Sequence, residues 1–219
     1  MNETRPIGQR SSRLRGREKA AFVQLPRRSV TNPYPPMEIV SVDQIEAIHQ
    51  ASMQVLEEIG LNFLLPEARE ILRQAGATVE GEGPRVRFDR ALVEEAVARA
   101  PAVIHAAARN PANDLTFGAN HINFGAVGGP PNFSDLEGGR RPGTLEDLKN
   151  FMRLAQSLNI CHLAASSAVE PLDIPPNVRH LEVALAAVRL SDKMRFGYGL
   201  GRVRARDHLE MGRISSGLD

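Results

Sequence analysis

The chain has 219 residues, enough for one ordinary domain with a buried core or one and a half, and its 42% hydrophobic and 24% charged residues are those of a soluble globular protein. No apolar run is long enough to span a bilayer, and no basic start leads into an apolar signal segment. A single cysteine, Cys161, excludes an internal disulfide and fits a reducing cytoplasm, where the protein is expected.

The net charge is only +1, but it is unevenly spread. Residues 1–28 hold Arg5, Arg10, Arg13, Arg15, Arg17, Lys19, Arg27 and Arg28 against Glu3 and Glu18. Such an arm could touch nucleic acid or anionic lipid. Phe22 is its only ring, so base stacking is not supported, and it has no sustained amphipathic period for a membrane surface. A solvated, mobile arm running into the proline-rich linker SVTNPYPPMEIV (29–40) is the expected arrangement for residues 1–40.

Ser41 and Gln44 form an S-x-x-Q capping box that opens a helix. Val42, Ile45, Ile48, Ser52, Val55, Leu56 and Ile59 recur at helical spacing, and Gly60 suits the left-handed position after it. Pro66 starts the next helix and Gly76 ends it. Val79 and Val86–Phe88 predict two short strands around the turn EGEGP. Asp89 caps RALVEEAVARA, which Pro101 terminates. Val103–Ala108 and Leu115–Phe117 predict a strand pair around NPAND. Residues 41–118 thus read as a small α+β lobe.

The pattern changes near residue 119. His121–Phe124, Ile160–Ala165 and Met194–Leu200 predict strands. Between and after them stand a helix capped by Thr144 with Asp147, a helix over Val178–Leu190, and one from about Val203. This alternation is α/β, and strands buried on both faces imply a parallel sheet covered by helices. It fits an open doubly wound sheet or a (β/α)8 TIM-type barrel, of which residues 119–219 supply about three β/α units. If it is a barrel, the chain is expected to be truncated.

Ligands meet such folds at the carboxyl ends of strands. Gly125, Gly128 and Gly129 fall there, where glycine lets a ligand come close or the backbone take positive φ. A plain turn leading into a hairpin over Asp135–Gly139 explains them equally well. The spacing is not that of a dinucleotide fingerprint, and no lysine follows as in a phosphate loop. Glu170 is the carboxylate near the end of the Ile160 strand and could balance an ammonium, although a solvated loop acid is the plainer reading. Tyr198, between Gly197 and Gly199, could offer its face to a cation, against a plain packing role. Phe124 and Phe133 are weaker aromatic candidates. The six histidines show no metal-ligand spacing, so no metal site is expected, and Cys161 with His162 lie on opposite faces of a strand.

Four stretches together resemble the N-terminal part of the trimethylamine methyltransferase family. They are the arginine-rich start, IEAIHQASMQVLEEIGLNF (45–63), ILRQAGATVEGEGPRVRFDRALVEEAVARAP (71–101), and the strand-glycine segment with GGRRPGTLEDLKNFMRLAQSLNICH (138–162). The resemblance implies a barrel that takes a methyl group from trimethylamine or a quaternary amine such as glycine betaine. It delivers that methyl to the cobalt of a corrinoid carried by a partner protein, binding no cofactor directly. It also implies a homo-oligomer for the full-length protein, with catalytic residues, and any pyrrolysine, beyond Asp219. Two other readings stand beside it: a non-catalytic binding module using the basic arm, and an unrelated barrel enzyme such as a lyase or aldolase.

Overall fold

The computed structural model describes residues 23–35, 37–197 and 199–217. Most of the expected basic arm, residues 1–22, lies outside that range. The part that is described has partners. The side chain of Gln24 donates to the Ser157 carbonyl at 2.9 Å and accepts from the Asn159 amide at 2.8 Å. Arg27 donates to the Ala112 carbonyl at 2.6 Å. Strand β1 (Val30–Thr31) follows.

Helix α1 (Val42–Gln54) begins as its capping box requires: Ser41 Oγ accepts from the Gln44 amide, and the Gln44 side chain accepts from the Ser41 amide. One π-helical turn, Val55–Ile59, extends it, and Gly60 ends it at φ +71. Only Met53 of α1 is buried. The apolar stripe of Val42, Ile45 and Ile48 faces outward, since nothing among the described residues packs across it.

The chain continues with β2 (Leu61–Asn62), α2 (Pro66–Gln74), β3 (Thr78–Val79), β4 (Arg85–Arg87) and α3 (Arg90–Ala98). The β3–β4 hairpin is antiparallel as expected, and β2 adds to its other edge, giving the order β2-β4-β3. Asp89 caps α3 through the Ala91 amide. Next, β5 (Val103–Ala106) pairs antiparallel with β6 (Leu115–Gly118) across a short 3-10 turn at Pro111–Asn113. Strand β7 (His121–Ile122) pairs with β1, Val30 opposite Ile122, which ties the start of the described chain to its middle.

Strands β8 (Asn132–Asp135) and β9 (Gly139–Pro142) make the hairpin expected at Asp135–Gly139. Three helices follow: α4 (Leu145–Ser157), α5 (Arg179–Leu190) and α6 (Arg202–Ser216). The main core lies here. Leu148 and Met152 of α4 pack with Ala165, Val169, Val183 and Ala187, all close to fully buried.

The N-terminus of α4 is held by charge as well as by its box. Arg141 meets Asp147 with both guanidinium arms, at 2.5 and 2.8 Å, while Asp147 also accepts from the Thr144 amide and hydroxyl. The bond to Arg141 holds the Asp147 carboxyl far below the usual carboxylate range. The fold is therefore mixed α/β, with small antiparallel sheets and helices. No helix among the described residues is long and apolar enough to cross a membrane.

Candidate functional site

Beyond β7 three extended stretches lie side by side. The Phe124 carbonyl accepts from the amides of His162 (2.8 Å) and Leu163 (3.3 Å). Further along, the Gly129 amide donates to the Ser167 carbonyl (2.8 Å) and the Glu170 amide to the Pro130 carbonyl (2.9 Å). Partner numbers rise together, so the two stretches run parallel. The third joins through a parallel bridge between Leu163 and Met194, with the Ala164 amide donating to Met194 at 2.8 Å. A helix follows each stretch: α4, α5 and α6.

The strands expected at Ile160–Ala165 and Met194–Leu200 are thus extended and adjacent, but not regular. They share one bridge in place of a continuous ladder. Glycine at 197 and 199 weakens a ladder because it brings no side chain to pack.

The glycines end the first stretch and are exposed. A Cβ on Gly125 would stand 2.7 Å from Leu163 Cδ1, and one on Gly128 would stand 2.7 Å from Ser167 Oγ. Both let the first stretch approach the second, which is a packing role. Gly129 differs: its φ is +90, and a Cβ there would meet nothing within 4 Å. Gly143 carries no distinguishing signal in the sequence. It is buried where a Cβ would strike Val169 Cγ2 at 2.3 Å.

Glu170 sits beside this end but is not a free carboxylate. Its Oε1 accepts from Arg179 Nη1 at 2.8 Å, and the Arg179 side chain is only 16% exposed. Arg179 is itself anchored by two bonds to the Ile174 carbonyl, at 3.0 and 2.9 Å. Tyr198 lies outside the described residues. Phe133 is occupied: it packs edge-on against Phe151, with the Arg141 guanidinium 4.8 Å from its centroid. Phe124 keeps part of its ring open, 43% exposed, tilted over His162 at 5.7 Å.

Two buried histidines tie these elements together. His162 is 2% exposed, and its Nδ1 accepts from the Phe124 amide at 3.0 Å, so the imidazole fastens the first stretch to the second. Burial, aided by the charge of Arg27, pushes its pKa down, which favours the neutral ring. His180, in the first turn of α5, pairs with Asp207 of α6 at 2.7 Å and so locks those helices together. Contacts this long in sequence leave no local signature.

Parallel stretches alternating with helices, with bulk-free backbone at their carboxyl ends, define an α/β protein in which the Gly125–Glu170 side is the candidate site. Comparison with known proteins narrows this class. The model of the trimethylamine methyltransferase family matches residues 7–219. A glycine betaine methyltransferase of Desulfitobacterium hafniense strain Y51 is 39% identical over 183 residues, 84% of this chain and 38% of that protein. A trimethylamine methyltransferase of D. hafniense DCB-2 is 32% identical over 139 residues, 63% of this chain and 28% of that protein. A proline betaine:corrinoid methyltransferase of Eubacterium limosum is 28% identical over 168 residues, 73% of this chain and 32% of that protein. The chain belongs to the trimethylamine methyltransferase family, a family of enzymes. It spans less than two fifths of the length of these relatives.

Proposed function

We propose that the whole protein demethylates a methylated amine, with a quaternary amine such as glycine betaine as the substrate class, and passes the methyl to a corrinoid held by a partner protein. The observation that carries this reading is the 39% identity to a glycine betaine methyltransferase over most of the chain. The alternation of parallel stretches with α4, α5 and α6 supports the first three units of a (β/α)8 barrel, entered after the lobe at residues 41–118. The reaction belongs in the cytoplasm.

When bound, the corrinoid supplies a cobalt nucleophile for the methyl carbon. The carbon–nitrogen electron pair stays on nitrogen, which leaves as the tertiary amine. The chain's own residues bind and orient. Gly129 keeps the carboxyl end of the first stretch free of bulk, which suits the approach of a broad planar ring; Gly125 and Gly128 serve it by packing that stretch close. Tyr198 is assigned to the ammonium, through its ring face, a contact worth on the order of 0.5–2 kcal/mol. Glu170, neutralised by Arg179, does not act as a free counter-ion; the pair holds the end of the second stretch beside the amine.

The test is amine turnover by the whole protein with reduced corrinoid and its carrier. Glycine betaine, proline betaine and trimethylamine are supplied separately, and the demethylated amine is followed by proton NMR. Loss of one methyl from a betaine supports the reading. Unchanged amine in every case overturns it.

A further inference from the structure

We propose that the cavity between the third extended stretch and α6 binds an oxyanion, a phosphate or carboxylate group. It measures about 510 Å3 and runs along the third stretch from Lys193 to Gly199. Three cations line it: Arg109, Lys193 and Arg195. Among the described residues no carboxylate lines it.

The cations are held in place by uncharged partners. Arg109 donates to the Val188 carbonyl near the end of α5. Lys193 donates to the carbonyls of Ala155 and Leu158 at the end of α4. Arg195 Nη2 donates to Ser215 Oγ, near the end of α6, at 2.8 Å. Each cation thus meets the negative end of a helix dipole, and Asp192 adds a nearby negative charge to Arg109 and Lys193. Those dipoles carry partial charge only, so a net positive field remains.

Neither Arg109 nor Arg195 has an ion pair among the described residues. Asp192 is the adjacent carboxylate in sequence, but it does not line the cavity, and amides of Asn110, Asn113 and Gln156 occupy it. Burial and the charge of Arg109 both push Arg195 towards losing its proton, the strain that a bound anion relieves. Space is available as well. A Cβ on Gly199 or Gly212, both lining residues, would meet nothing within 4 Å. The same field repels an ammonium.

Titration calorimetry of the protein at low salt, with inorganic phosphate in one arm and acetate in the other, tests this. Saturable binding of at least one anion, weakened by added salt, is expected. The tighter of the two names the group, phosphate or carboxylate. Arg195→Gln should lower affinity at least about tenfold, as removal of one charge-assisted contact does. Arg109→Gln should lower it severalfold. Arg140→Gln, on the exposed β8–β9 hairpin, should leave affinity unchanged. Circular dichroism checks that each variant is folded; should Arg195→Gln unfold, the surface change Arg109→Gln decides. Absence of saturable binding to either anion overturns the proposal, and so does binding that Arg109→Gln leaves intact.

Discussion

Lys193 closes helix α4 at Leu158: its buried ammonium donates to the Leu158 carbonyl at 2.8 Å and to that of Ala155 at 2.5 Å. The two residues are 35 apart in sequence, so the last turn of α4 is finished by the start of the third extended stretch. Lys193→Met keeps the length of the stem and removes both bonds. We predict a loss of about 1–3 kcal/mol in stability, because two helix-end carbonyls are left without donors. Urea unfolding of the variant measures it, and an unchanged midpoint would show that solvent replaces the amine.

Asp192 joins the Pro111–Asn113 turn to helix α4. It accepts from Gln156 (2.8 Å), Asn110 (3.0 Å) and Asn113 (2.9 Å), and the bonds from Gln156 and Asn110 hold its carboxyl below the usual range. Asp192→Ala should release the Pro111–Asn113 turn and destabilise the protein by about 1–3 kcal/mol. Hydrogen exchange should quicken at residues 110–114 and stay the same within α2. Equal protection in both proteins at 110–114 would contradict this role.

These two anchors also mark the limit of the sequence. Features built from neighbours were legible: the Ser41–Gln44 and Thr144–Asp147 boxes, the β3–β4, β5–β6 and β8–β9 hairpins, and the span of α5. Each depends on residues a few positions apart. The pairing of β1 with β7, the Glu170–Arg179 pair, the His162 tie and the Lys193 cap were not, because their chemistry is completed by partners brought near only by folding. The apolar stripe of α1 was visible as a pattern, but periodicity alone does not say what covers it. At the site, the glycines' position was legible; the division of labour was not, since Ser167 and Leu163 decide which of them must lack a Cβ.

Gly128 and Ser167 make that division testable. Gly128→Ala should destabilise the protein by about 1–3 kcal/mol, the usual effect of overpacking. Ser167→Gly in the same molecule removes the 2.7 Å clash and should recover part of the loss. Thermal melts of the two single variants and the double variant measure the coupling. Strict additivity would mean that the two positions do not touch.

His162 makes stability depend on pH. Its folded pKa is depressed below the ordinary value near 6.5, so the unfolded chain binds the proton more readily. Its contribution is complete above about pH 6.5 and is lost as pH falls from there through the depressed folded value. His162→Gln should flatten the dependence of the unfolding midpoint over that window while lowering stability at neutral pH. A wild-type slope retained in the variant would assign the titration to another group.

The central claim is that a betaine loses a methyl group at the end of the stretches bordered by Gly129. The most direct measurement follows proton NMR of glycine betaine with the whole protein, reduced corrinoid and its carrier, for the parent and for Gly129→Leu. The account predicts that dimethylglycine accumulates with the parent and that the variant, still folded by circular dichroism, forms it at least about tenfold more slowly, a barrier increase of about 1.4 kcal/mol. Equal rates in the two proteins, or no dimethylglycine from the parent, would contradict it.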